Sequence, residues 1–270
     1  MVLINIQEAV DNFRDLIEAS IREGGERGKE AMIRSSKPIL NLHEAVKSEL
    51  IKAGIDKELI FPPINTRTPE LKLMGSRKAK NQDICVVPKG AKTSEILLEG
   101  LLKDIVDEYG ESFTEKTISI NVRSQISSLG KNFDTLYERT TSEAVNLHDR
   151  LPKMCLGEVY MIAVPEYDDR QIKNNSVAFK KRSPSLVEKY IKSFQAINNR
   201  SGVDKNFYQY EKACLLIVDF SEAFPKIYSS TKELKEAGLL SPDSTVDLDD
   251  LAWSKFIPDL LKVYEERFGT

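Results

Sequence analysis

Hydrophobic positions along the chain switch between two periods, and the switch is sharpest over residues 117–151, TISINVRSQISSLGKNFDTLYERTTSEAVNLHDRL. Ile118, Ile120 and Val122 alternate with Ser119, Asn121 and Arg123, the period of two that predicts a strand. From Ile126 the apolar residues fall at Leu129, Phe133, Leu136, Tyr137, Thr140, Ala144, Leu147 and Leu151, the three-and-four spacing of an amphipathic helix. The other side of that helix carries Lys131, Glu138 and Asp149. A strand feeding directly into a helix puts functional groups on rigid elements.

The same pattern organises the rest of the chain. Ala9, Val10, Phe13, Leu16, Ile17 and Ile21 form one stripe and predict a helix over 6–34, with Gly24, Gly25 and Gly28 marking a break or kink. A second helix is expected from Ser36 as cap and Pro38 in the first turn, with Ile39, Leu42, Val46, Leu50 and Ala53 as its apolar face and Gly54 at its end. His43 reads as an edge-of-core imidazole. The three prolines of 61–75 predict a loop, and Ile84 to Val87 a short strand with Asp83 at its mouth and Arg77, Lys78 and Lys80 upstream. A helix is expected over 94–109, a polar turn over 110–116, buried strands over 155–164 and 213–220, a helix over 187–197 and a closing helix after Asp247. Apolar strands separated by helices make this an α/β protein, with a central mixed sheet flanked by helices on both faces. The segments are a helical extension over 1–35, an α/β core over 36–225 and a helical closure over 226–270.

Composition narrows the function. With 270 residues, 30% charged and a formal net charge of -3, the chain reads as one ordinary soluble domain that needs no staples. No apolar run reaches membrane-spanning length and the N-terminus lacks a secretory pattern, so the expectation is a cytoplasmic protein without a membrane partner. Cys85, Cys155 and Cys214 each lie in an apolar run and read as buried thiols. With no CxxC pair and two histidines, a zinc site is not expected. GGERGK does not follow a strand and lacks a phosphate-loop ending, and no GxSxG elbow occurs, which leaves acids and lysines as candidate chemistry.

The order of a helix bearing Glu44, Asp83 at a strand mouth, the strand ISINVRSQ, a long helix and two apolar strands resembles the core of the PD-(D/E)XK nuclease superfamily, and the size resembles a type II restriction endonuclease. The resemblance implies a single restriction-endonuclease-like domain that cuts double-stranded DNA at specific sites as a homodimer with Mg²⁺, in a restriction-modification system. It matches Asp83 to the first metal-binding acid. Asn121 stands where the second acid is expected, and Arg123 where the lysine is expected. Asn121 supplies an oxygen without charge, while Arg123 stays protonated and holds a phosphate. The implied site is therefore Asp83, Asn121, Arg123, Glu44 and Lys131, with Asp83, Asn121 and Glu138 as metal ligands. Bases would be read by the loops over 65–77 and 180–200. The alternatives are a catalytically inactive nuclease-fold protein that binds DNA or assembles with a partner, and an α/β enzyme acting on a small molecule.

Overall fold

A computed structural model describes residues 3–269; Met1, Val2 and Thr270, which the sequence segments include, lie outside the described residues. In chain order the helices are α1 (Ile6–Arg34), α2 (Lys37–Lys52), α3 (Glu111–Glu115), α4 (Leu129–His148), α5 (Asp169–Ile172), α6 (Pro184–Ile197), α7 (Thr231–Glu236) and α8 (Trp253–Phe268). The strands are β1 (Ile60–Phe61), β2 (Lys72–Met74), β3 (Ala79–Asn81), β4 (Ile84–Val86), β5 (Glu95–Ile96), β6 (Val106–Asp107), β7 (Ile118–Gln125), β8 (Cys155–Ala163), β9 (Lys212–Asp219) and β10 (Lys226–Tyr228).

Six strands form one sheet in the order β1-β4-β7-β8-β9-β10. Its centre, β7, β8 and β9, is parallel, and β4, β1 and β10 are antiparallel to their neighbours. The α/β class with a mixed sheet between helices is thus the observed architecture. Alternation along β7 decides what each face carries. Ile118, Ile120 and Val122 join the core formed with α1, α2 and α8, through residues such as Phe13, Val46 and Phe256. Ser119, Asn121 and Arg123 therefore face the other layer, where Phe133 and Leu147 of α4 and Ile191 and Phe194 of α6 pack on Tyr160, Ile162 and Ile217. Every residue of β8 is buried, as expected for a strand covered on both faces. Gly157 in β8 permits the close approach of α8, because a Cβ there would lie 2.8 Å from the Phe256 ring.

Helix α1 begins at a capping box, in which Glu8 N donates to Asn5 Oδ1 at 2.9 Å and Asn5 N donates to Glu8 Oε2 at 2.8 Å. The glycine break is real. Gly25 takes φ 55° and ψ -134° inside the helix, so the chain turns there, and a Cβ on Gly28 would lie 2.1 Å from the Ser20 carbonyl oxygen. Ser36 does start α2, but in the left-handed region at φ 61°, and its side chain caps nothing. Pro38 occupies the first turn as expected.

Three local expectations are corrected. The helix expected over 94–109 is a β-hairpin, β5 pairing β6 through Glu95 opposite Asp107 and Ile96 opposite Val106. Gly100 and Asp104, both at positive φ, turn the chain, and Arg150 clamps the two strands by ion pairs to Glu95 at 2.7 Å and Asp107 at 2.8 Å. The dense aliphatic run imitated a helical stripe because it has apolar residues at nearly every spacing. The turn expected over 110–116 contains the short helix α3, and the loop expected over 61–75 ends in β2, paired with β3. All three cysteines are buried free thiols, and burial pushes them up, Cys155 to about 12.

Candidate active site

Asp83 immediately precedes β4, whose Ile84 pairs with Ile120 of β7, so the aspartate falls beside the segment that carries Asn121. Its Oδ2 accepts a hydrogen bond from Val122 N at 2.9 Å. The carboxylate lines a cleft of about 160 Å³ walled by the start of α2 (Ser36, His43) and by the loop bearing Thr66, Arg67 and Glu70. That wall is braced from behind. Glu44 Oε2 accepts from Asn65 N at 2.7 Å, while the fully buried Lys47 ammonium donates to Glu44 Oε1 at 2.7 Å and to the carbonyls of Pro63 and Thr66. Glu44 is thus engaged in holding the loop. Burial lowers the His43 imidazole below its ordinary value, against the opposing pull of Asp83, so it is neutral at pH 7.

On the α4 side of the sheet, Asn121 pairs in register with Glu158 of β8. Both are buried, and the Oδ1 of Asn121 and the Oε2 of Glu158 have no hydrogen-bond donor. Arg123 lies between two carboxylates: Nη1 donates to Glu158 Oε1 at 2.6 Å and to Thr140 Oγ1 at 2.9 Å, and Nη2 pairs with Glu143. Glu143 also takes Lys80 Nζ at 2.5 Å. Lys80 reaches it because the β2–β3 hairpin is fastened to α4 by Asn146, whose Oδ1 accepts from Arg77 N and Lys78 N.

The two glutamates are tuned apart. Burial pushes the Glu158 carboxyl up to about 7, with Arg123 opposing and Glu143 and Asp83 reinforcing the rise. For Glu143 burial acts in the same direction, but Arg123 and Lys80 outweigh it and hold the group below the usual range. The Arg123 guanidinium resists the loss of charge that burial favours because Glu158 and Glu143 flank it.

The structure brings Asp83 alongside β7 but puts its carboxylate in the cleft, whereas Asn121 and Arg123 lie on the α4 side, and the other expected residues stand elsewhere. Lys131 and Glu138 are exposed on α4 and make no side-chain hydrogen bond or ion pair with the cluster among the described residues. Of the two segments expected to read bases, 65–77 contributes Arg67 to the cleft wall, whereas 180–200 is largely α6 and ends at Arg200, buried against Glu211. Sequence reasoning missed Lys80, Glu143 and Glu158. Only Glu158 had a local signal, an acid in the middle of an otherwise apolar run, CLGEVYMIAV.

No group of three or more His, Cys, Asp or Glu side chains among the described residues is gathered so as to hold a metal. Mg²⁺ is content with one or two carboxylates plus neutral oxygens and water. Asp83, Asn121 and Glu158 all offer oxygens, and the oxygens of Asn121 and Glu158 are without a donor. Only Asp83 of these lines the cleft, where one carboxylate with water and substrate oxygens fits Mg²⁺ in chemistry; Asn121 and Glu158 lie on the α4 side.

No family model matches the chain, and no curated protein and no solved structure matches it either.

Proposed function

We propose that the protein is a Mg²⁺-dependent, site-specific endonuclease that hydrolyses phosphodiester bonds of double-stranded DNA in a restriction-modification system. The observation that carries this reading is the position of Asp83 at the mouth of β4, antiparallel to β7, with β7 running through α4 into the parallel strand β8, so that Asp83, Asn121 and Glu158 come from three neighbouring strands. This order of elements, with a carboxylate in a cleft, supports the restriction-endonuclease-like reading. In this reading Asp83 would hold a Mg²⁺ ion at the cleft, and the ion would supply Lewis-acid stabilisation of charge on the phosphate oxygens.

The chain's own groups do the rest. Because Val122 N holds Oδ2 of Asp83, Oδ1 is left to accept a hydrogen bond from the attacking water. His43, neutral in the same cleft, takes the proton that water loses as its oxygen bonds to phosphorus and one P–O ester bond breaks, the departing ester oxygen taking a proton from solvent water. Arg67, exposed on the cleft wall, binds the phosphate, since Arg123 is committed to Glu143 and Glu158. Arg123 and Lys80 position the two glutamates.

Unmethylated phage or plasmid DNA with Mg²⁺ tests this. Discrete fragments from the wild type, lost by at least about a hundredfold in Asp83→Ala with DNA binding kept, are the expected result. Undiminished cutting by the variant sinks the site. Salt-sensitive binding without cutting by the wild type replaces this reading with the inactive DNA-binding one, and neither activity removes nucleic acid from the account.

A further inference from the structure

The β5–β6 hairpin carries apolar side chains that no other part of the described chain covers. Of the eight large hydrophobic residues exposed among the described residues, five lie on it, Leu98 at 83% and Leu101 at 78% being the barest of the five. Single exposed aliphatics need no explanation, whereas five together mark a contact surface.

These side chains form one wall of a groove. Leu97, Leu98, Leu101 and Leu102 line a hollow of about 900 Å³, and Ser76 and Arg77, in the turn between β2 and β3, close its other side. The hairpin turn leans onto that wall, since a Cβ on Gly100 would lie 3.5 Å from the Ser76 carbonyl oxygen. Arg150 fixes the base, pairing with Glu95 at 2.7 Å and Asp107 at 2.8 Å while donating to Met74 O at 2.9 Å, at the end of β2. A groove already in shape loses little conformational entropy on docking.

Its rim is acidic. Over residues 95–111 the chain sets Glu95, Glu99, Asp104, Asp107, Glu108 and Glu111 against Lys103 alone, and Arg150 answers only Glu95 and Asp107. Glu99, Asp104, Glu108 and Glu111 are exposed and make no ion pair among the described residues, and Glu99 and Glu111 line the groove itself. Arg77 is taken up by Asp149 at 3.9 Å.

We propose that this groove binds a cationic amphipathic helix of another protein, its apolar face lying on the hairpin leucines and its lysines or arginines meeting Glu99 and Glu111. Apolar lining and acidic rim together select that occupant. Nucleic acid and an anionic membrane surface carry the charge that the rim repels, and a second copy of the chain would bring the same acids against one another. Strands β5 and β6 have two residues each, too short an edge for an added strand, so recognition runs through side chains. The inference does not use the nuclease reading and stands or falls apart from it.

The probe is a fluorescently labelled designed helix with leucines at i, i+3, i+4 and i+7 and lysines elsewhere, titrated with the full chain and followed by anisotropy. The wild type should bind it at least about tenfold more tightly than the same peptide with glutamates in place of the lysines, and added salt should weaken the binding. Leu98→Ser/Leu101→Ser and Glu99→Lys/Glu111→Lys should each raise the dissociation constant at least about tenfold. All four side chains are exposed, so far-UV circular dichroism should be unchanged, and Phe224→Ser, which alters an exposed aromatic elsewhere, should bind as the wild type does. No binding by the wild type, equal binding of the two peptides, or full binding by either double variant overturns the proposal. Sedimentation velocity without peptide adds a second route to refutation: a wild-type dimer that Leu98→Ser/Leu101→Ser dissociates gives the surface to a second copy instead.

Discussion

Two buried charge clusters flank β8, and they are built on opposite terms. Around Glu211, every oxygen is spoken for: Oε1 takes Arg200 at 3.1 Å and Arg267 at 2.9 Å, and Oε2 takes Leu156 N at 2.7 Å with His148 Nε2 at 3.3 Å. Burial would raise this carboxyl, but His148 and Arg267 overcome it and lower it instead. Around Glu158 one oxygen is held by Arg123 and the other has no donor, its neighbour Asn121 is in the same condition, and the carboxyl rises to about 7. A cluster that closes on itself is a structural fastener, here tying the end of α4 to the segment before β9. A cluster that leaves buried oxygens open retains capacity for a ligand.

The largest expected effect breaks the closed cluster. Glu211→Gln leaves Arg200 and Arg267 without their carboxylate in a fully buried place, and unfolding in urea should register a loss of about 3–5 kcal/mol. A loss below about 1 kcal/mol would show that the two clusters do not differ in kind.

Glu158→Gln sharpens the contrast through pH. The folded carboxyl titrates near 7 against 4.5 for the unfolded one, so between these values the folded state keeps a proton the unfolded state has lost. The contribution of Glu158 to stability is full below about pH 4.5 and falls as pH rises through 7. Glutamine removes that slope, and the stability of the variant relative to wild type should improve from pH 4.5 to pH 8 by up to about 3 kcal/mol. A pH-independent difference in chemical denaturation would contradict the raised carboxyl.

A smaller effect belongs to the cleft wall. Glu44→Gln deprives the buried Lys47 of its countercharge and weakens the bond to Asn65 N, with an expected cost of about 1–3 kcal/mol in thermal or urea unfolding. Unchanged stability would free Glu44 from its bracing role. The smallest belongs to the exposed side of α4, where Lys131→Ala and Glu138→Ala should each stay within about 0.5 kcal/mol of wild type by the same measurement.

The helices and central strands were legible because each reports its own period: β7, β8 and β9 bury the residues their patterns nominate, and α4 does so except for the half-buried Leu136 and Tyr137. The hairpin over 95–107 misled for the converse reason, since its aliphatic residues face solvent and carry no period set by burial. Half of the candidate site was visible in the same local way. Asp83 stood out as an acid before a buried strand, and Asn121 and Arg123 as polar members of an alternating one. Lys80 and Glu143, 63 residues apart, carried no sign of their pairing, because Lys80 read as one cation in a solvated run and Glu143 as one more helical acid.

By itself the sequence determined the α/β class, the two faces of β7 and the burial of β8, since these follow from periodicities that any stretch of chain displays alone. Tertiary structure decided which acids share a place. It set Glu158 against Asn121 through the parallel register of β7 and β8, committed Arg123 to two glutamates, and turned Glu138 outward on α4. Hydrophobic period is a local property of the backbone, whereas the electrostatic environment of a carboxyl is a sum over neighbours that only the folded chain brings together.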